Sequence, residues 1–273
     1  MIVGGGDTPT DVQERFVALA GGPGKARIAI LPMASTEYDE EAKEVTDDFQ
    51  KLDAEVQLLN LSSTDVRDET SLKLLEGFTG YWFTGGDQSR LSSVLVGSAA
   101  LAVMASRYEK GAAIGGTSAG ASVMSSVMLT GGWRRPRSAE EMELLNIAKG
   151  MMEVSQGFGF IKGAIVDQHF VTRARYNRLI SAVLDHPQLI GVGIDDDTAL
   201  LVRPDGVWEV LGSNYVKIFD ARRARVIEDA GPMAKASDIR MHVLPAGSTF
   251  NAKNRKVTFL GGGDVAAPNA VSR

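Results

Sequence analysis

Short apolar runs alternate with longer amphipathic stretches through the first two hundred residues of this chain, and several of the runs end in glycine. Residues 27–33, 54–61, 80–84 and 112–114 are short enough for strands, and 27–33 and 112–114 are apolar enough to be buried on both faces. Between such runs, residues 10–20, 39–52 and 89–105 carry helical spacing, the first with Thr10 or Asp11 as its cap. Strands alternating with helices in this way dictate a largely parallel sheet with helices on both faces. The expected class is therefore α/β, as one domain over residues 1–273, with residues 261–273 a frayed tail. In open parallel sheets ligands bind beyond the carboxyl ends of the strands, so those ends are where chemistry is sought.

Gly116-Thr117-Ser118-Ala119-Gly120 stands at such an end and fits G-x-S-x-G, with residues 121–128 able to continue as a helix. A serine lifted into a cleft on a sharp turn takes strained backbone angles that leave no room for large neighbours. Ser118 is a nucleophile candidate on this reading, and the N–H of Ala119 could bind an oxyanion at the positive end of the helix. The alternative is a structural glycine turn. Gly85-Gly86-Asp87-Gln88 closes the preceding strand: Gly86 is a candidate for a second oxyanion donor and Gln88 offers a neutral amide to a substrate. The first glycine run, Gly4-Gly5-Gly6, suggests a phosphate loop, but Pro9 breaks G-x-G-x-x-G, and Gly24-Lys25 lacks the following Ser or Thr. No cofactor is expected.

Composition narrows the chemistry further. A net charge of −5 gives no footprint for nucleic acid, and no stretch has the apolar length needed to cross a membrane. Zero cysteines remove thiol catalysis and thiolate metal sites, and the three histidines, His169, His186 and His242, lack metal-ligand spacing. Met1-Ile2-Val3-Gly4 shows no charged leader or apolar core of a signal peptide, so the expected location is cytoplasmic, a removed leader being the alternative.

A serine needs a base. Residues 165–170 read Ile-Val-Asp-Gln-His-Phe, which puts His169 at the carboxyl end of another apolar strand. His186 stands at a helix end and His242 in an alternating strand, where structural roles are the default. A further strand at residues 189–194 ends in Asp195-Asp196-Asp197, and one of these acids could orient the imidazole. The order serine, histidine, acid disfavours an α/β-hydrolase. Residues 131–149 read as a loop with a basic segment, Trp133 to Arg137, and its own short helix capped by Ser138 and Glu141; the charges either attract an anionic substrate or are simply solvated. The runs at 199–203, 206–211, 215–219, 241–244 and 257–260 read as an antiparallel extension of the sheet.

Taken together, Gly85 to Gln88, Gly116 to Ala121, Asp167 to Phe170 with Arg173, Arg175 and Arg178, and Gly193 to Ala199 resemble the cyanophycinases in order and spacing across most of the chain. The resemblance implies a flavodoxin-like three-layer α/β/α sandwich related to α-aspartyl dipeptidase, commonly a homodimer. It implies a serine exopeptidase that releases β-Asp-Arg dipeptides from cyanophycin, a poly-aspartate whose side-chain carboxyls carry arginine. Ser118 would be the nucleophile and His169 the base, with Gln88, Asp167, Gln168, Arg173, Arg175 and Arg178 around the substrate. The third triad position, glutamate in that family, is Asp196 here, with an arm shorter by one methylene. The expectation is that Asp196 pairs with His169 while Asp195 and Asp197 find other partners. An α-aspartyl dipeptidase-like enzyme and a binding homologue without turnover are the alternatives. On a regular helix Arg175 and Arg178 fall about 60° apart and Arg173 well away from both. Either the helix starts near Arg173, freeing that side chain from the wheel, or one arginine is structural.

Overall fold

The computed structural model of the protein describes residues 1–36, 39–134, 147–227 and 233–260. Its centre is five parallel strands, β1 (Ile2–Val3), β2 (Arg27–Leu31), β3 (Glu55–Leu58), β4 (Gly80–Phe83) and β5 (Ala113–Thr117), in the spatial order β1-β5-β4-β2-β3. In β2, Ile28 and Ile30 point to one face and Ala29 and Leu31 to the other, and all four are fully buried, which is why the run is apolar throughout. Helices α1 (Thr10–Leu19) and α2 (Asp39–Lys51) cover the first face, where the rings of Phe16, Phe49 and Trp82 meet at centroid distances of 4.9 to 5.5 Å. The other face is covered by α3 (Glu69–Glu76), α4 (Gln88–Leu95), α5 (Ala99–Glu109) and the single turn α6 (Ala119–Ser122), through Leu75, Leu91, Leu95, Met104 and Ala119.

Two more pairings complete the architecture. A hairpin-like pair, β6 (Val127–Trp133) and β7 (Met152–Gln156), lies beside a four-stranded sheet of β8 (Ala164–Asp167), β9 (Ile190–Ile194), β12 (Tyr215–Asp220) and β15 (Arg240–Pro245), ordered β15-β12-β9-β8. Strands β10 (Thr198–Val202), β11 (Val207–Gly212), β16 (Thr249–Asn251) and β17 (Lys256–Thr258) extend the main sheet antiparallel from the β1 edge, making nine strands, and β13 (Arg225–Ile227) pairs with β14 (Lys235–Ser237). The four-stranded sheet packs Val166, Val192, Ile194 and Ile218 toward the main core, while α7 (Tyr176–Asp185) covers its outer face with Leu179 and Val183 against Ile165 and Phe219.

The protein is thus an α/β sandwich, but four local expectations change. The strands beyond residue 160 divide between two sheets instead of prolonging one, because β8 and β9 are apolar on both faces and such a pattern does not say which sheet they join. The stretch at 89–105 is two helices bent by 95°, broken at Val96-Gly97-Ser98, where Gly97 has φ +76° and Ser98 caps α5 by accepting from Leu101 N–H. The helix after Ser118 lasts one turn: the carbonyls of Val123, Met124 and Ser125 accept from Phe158, Ile161 and Gly159, and Ser125 Oγ accepts from Val166 N–H. At α1 the cap position is Pro9, with no side-chain cap. The short helix expected at Ser138 to Glu141 and the tail at 261–273 lie outside the described residues.

Candidate active site

Pairing of Phe83 with Gly116 aligns the ends of β4 and β5, so the loops that follow them emerge side by side. Gly120 comes so close to β4 that a Cβ there would lie 2.1 Å from the Phe83 carbonyl oxygen, and its N–H donates to Thr84 O at 3.1 Å. This clamp holds the turn at Ser118, whose φ of 53° and ψ of −109° lie where a non-glycine residue costs on the order of 1–3 kcal/mol. The turn presents the hydroxyl to His169.

Ser118 Oγ is 2.9 Å from His169 Nε2, and His169 Nδ1 is 2.5 Å from Asp196 Oδ1. A carboxylate only accepts, so Nδ1 carries the proton and Nε2 is left to accept from the serine. Asp196 meets the ring although it is one methylene shorter than glutamate. Its carbonyl accepts from Thr198 Oγ1 at 3.0 Å and Asn214 Nδ2 at 2.9 Å, which fixes the backbone behind the carboxylate. Asp195 turns away: its Oδ1 accepts from Val171 N–H, Thr172 N–H and Thr172 Oγ1 at 3.0, 3.1 and 3.0 Å, shaping the loop that follows His169. Asp197 N–H donates to Gly5 O at 2.9 Å.

Gly4-Gly5-Gly6 is the part of the site that the sequence did not disclose. The loop after β1 passes under all three groups: Ser118 N–H donates to Val3 O at 3.1 Å and His169 N–H to Gly4 O at 2.7 Å. Gly5 has φ +119°, and a Cβ there would lie 2.1 Å from the imidazole Cε1, so only glycine leaves space for the ring. The available signal was positional, a glycine run at the end of a strand, and reading it only as a phosphate loop missed it.

The N–H groups of Gly86 and Ala119 have no hydrogen-bond partner among the described residues. Gly86 (φ +126°) is placed by its neighbours: Gly85 N–H donates to Glu41 Oε1 at 2.7 Å and Asp87 N–H to Ala34 O at 2.9 Å. Since α6 is one turn long, the expected help from a helix dipole is largely absent, and what the pair offers is two individual donors.

The residues expected around a substrate separate by depth. Asp167 is fully buried, and both its oxygens pair with Arg178, through Nε at 2.7 Å and through Nη2; Arg178 itself is 3% exposed. Arg175 Nη1 donates to Gln168 O at 2.8 Å and Oε1 at 2.7 Å, and lies 3.7 Å from Asp167. Gln88 is also buried, with Nε2 donating to Leu129 O at 2.9 Å. These bonds make Arg178 and Asp167, which stands two residues before His169, a buried ion pair, because a buried carboxylate is tolerated only with its partner. Arg173 differs. The helix starts at Tyr176, three residues later, and Arg173 stays exposed on the loop, near enough for its charge to act on His169. Burial chiefly, then the Arg173 charge, holds the His169 pKa below its ordinary value, against the opposing pull of Asp196. A neutral base is thereby kept available below the usual imidazole range. Among the described residues no group of three or more His, Cys, Asp or Glu side chains is placed to hold a metal.

The sequence profile of Peptidase family S51 matches residues 1–210. A cyanophycinase of Nostoc sp. is 33% identical over 266 residues, covering 94% of this chain and 86% of the relative, and one of Geminocystis herdmanii is 32% identical over 271 residues, covering 94% of each. A peptidase from an acI-B1 Actinobacterium superimposes with a TM-score of 0.64 at 22% identity, over 91% of this chain and 94% of that one, which is a likeness of fold. With the profile spanning most of its length and relatives at this identity along nearly all of it, the chain belongs to peptidase family S51 and is a serine-type peptidase.

Proposed function

We propose that the protein is an exopeptidase that hydrolyses cyanophycin to β-Asp-Arg dipeptides through an acyl-enzyme on Ser118. The observation that carries the reading is the continuous chain from Ser118 Oγ through His169 to Asp196, at 2.9 and 2.5 Å, beside two unpartnered N–H donors. Relatives named cyanophycinase along nearly the whole chain support the substrate. In this mechanism His169 Nε2 takes the Ser118 proton as Oγ attacks the scissile carbonyl, and the N–H groups of Gly86 and Ala119 receive the oxyanion. His169 then gives the proton to the leaving amine, and water attacks the ester by the same route. Asp196 holds the tautomer and stabilises the imidazolium. Arg173, exposed beside the histidine, binds a carboxylate of the departing dipeptide.

Incubation with insoluble cyanophycin should clear the suspension and release β-Asp-Arg, identified by mass spectrometry. Failure to release it, together with hydrolysis of α-aspartyl dipeptides, would replace the substrate class while leaving the peptidase in place.

A further inference from the structure

The carboxyl ends of the parallel strands continue past the candidate active site to a cavity. It has a volume of about 340 Å³ and lies beyond β2 and β3, with Met33 and Leu61 as its buried floor. Ser35, Thr36 and Asn60 form one wall, and Arg90, Ser93 and Val94 of α4 form the other. Arg90 is exposed, its side chain makes no hydrogen bond or ion pair among the described residues, and none of the described residues that line the cavity is acidic. The nearest carboxylate in sequence, Asp87, is turned to cap α4, accepting from Ser89 N–H at 2.7 Å. A cation set among hydroxyls and an amide over an apolar floor suits a carboxylate.

The topology says which part of a substrate reaches it. A leaving amine must lie on the His169 side, where it collects its proton, so the acyl portion runs the other way, across the Gly86 loop. That direction leads over β4 to β2 and β3, two to three strand spacings from Ser118, or about 10–14 Å. An extended chain covers this in roughly three or four residues at about 3.3–3.6 Å each. We propose that the Arg90 cavity is an acyl-side subsite that holds a free carboxylate carried by the polymer three or four units from the scissile bond. The inference rests on the cyanophycin reading, in which every unit bears such a carboxylate on its arginine. It makes the enzyme a reader of chain length, with long chains gripped at both the reacting end and Arg90.

The test compares fragments of two and of six β-Asp-Arg units, since two units do not extend to the cavity. Arg90→Ala should raise KM on the six-unit fragment about tenfold, one lost charge-assisted contact, with kcat and the two-unit kinetics unchanged. Arg90→Lys should recover part of the loss, because it restores charge but not the bidentate fork. An equal effect on both lengths, or none on either, overturns the subsite while leaving the proposed function standing. A wild-type enzyme that cleaves neither fragment refutes the cyanophycin reading itself, and the ligand of the cavity with it.

Discussion

The serine and the histidine of the candidate site come from sheets that hold their residues by different means. On the nine-stranded side, Ser118 and Gly86 are positioned by backbone: parallel register, the close approach of Gly120 to β4, and donors that meet carbonyls. On the four-stranded side charge adds to a backbone tie: His169 N–H donates to Gly4 O, the buried Asp167–Arg178 pair stands two residues before it, Asp195 shapes the loop beyond and Asp196 binds the ring. Backbone geometry survives most side-chain changes, whereas a buried ionic support fails when either member is removed. Single substitutions should therefore separate chemistry from folding sharply on the first side and mix the two on the second.

The largest effect on the charge-built side belongs to the residue that touches the imidazole. Asp196→Asn keeps size and shape but favours the wrong tautomer, and turnover should fall on the order of 10⁴-fold with thermal stability little changed. Asp196→Glu should be far milder, since a carboxylate at hydrogen-bond distance is what the ring requires. Wild-type turnover in the asparagine variant would show that the 2.5 Å contact is not used.

Arg178→Ala should act on folding instead. It leaves Asp167 as an unpaired buried carboxylate, a loss of about 3–5 kcal/mol in urea unfolding, and activity should fall with the folded fraction. A variant as stable as wild type would return Arg178 to the cleft and remove the distinction between the two sides.

Arg173→Ala gives the smallest change and sharpens the contrast within one arginine cluster. Stability should be unaffected because the side chain is exposed. The base must be neutral, so activity is lost as pH falls through the His169 pKa, which burial and then Arg173 hold low. Removing that charge lets the pKa rise, so the acid limb of the kcat/KM profile should move to higher pH, and KM should rise as well. An unmoved limb would mean that Arg173 does not govern the base.

What could be read from the sequence divides along the same line. The parallel core was legible because β2, β4 and β5, buried nearly throughout, leave an apolar signature, and Ser118 and His169 because each follows such a strand; β3 is an exposed edge and shows only as a short run. Which sheet held β8 was not, since an apolar pattern is blind to the neighbouring strand. The three arginines looked alike as residues; only burial separates Arg178, locked to Asp167, from Arg173 in solvent. Gly5 left no side-chain signal at all, because its contribution is the space it leaves for the imidazole.

The proposed chemistry needs a serine activated by a histidine from the other sheet, and a serine-directed fluorophosphonate tests that without any assumption about substrate. The wild-type protein should take up one adduct, mapped by peptide mass spectrometry to Ser118, and His169→Ala should label about 10²-fold or more slowly, the scale of general-base assistance. An adduct on another residue, or equal labelling rates with and without His169, would contradict it.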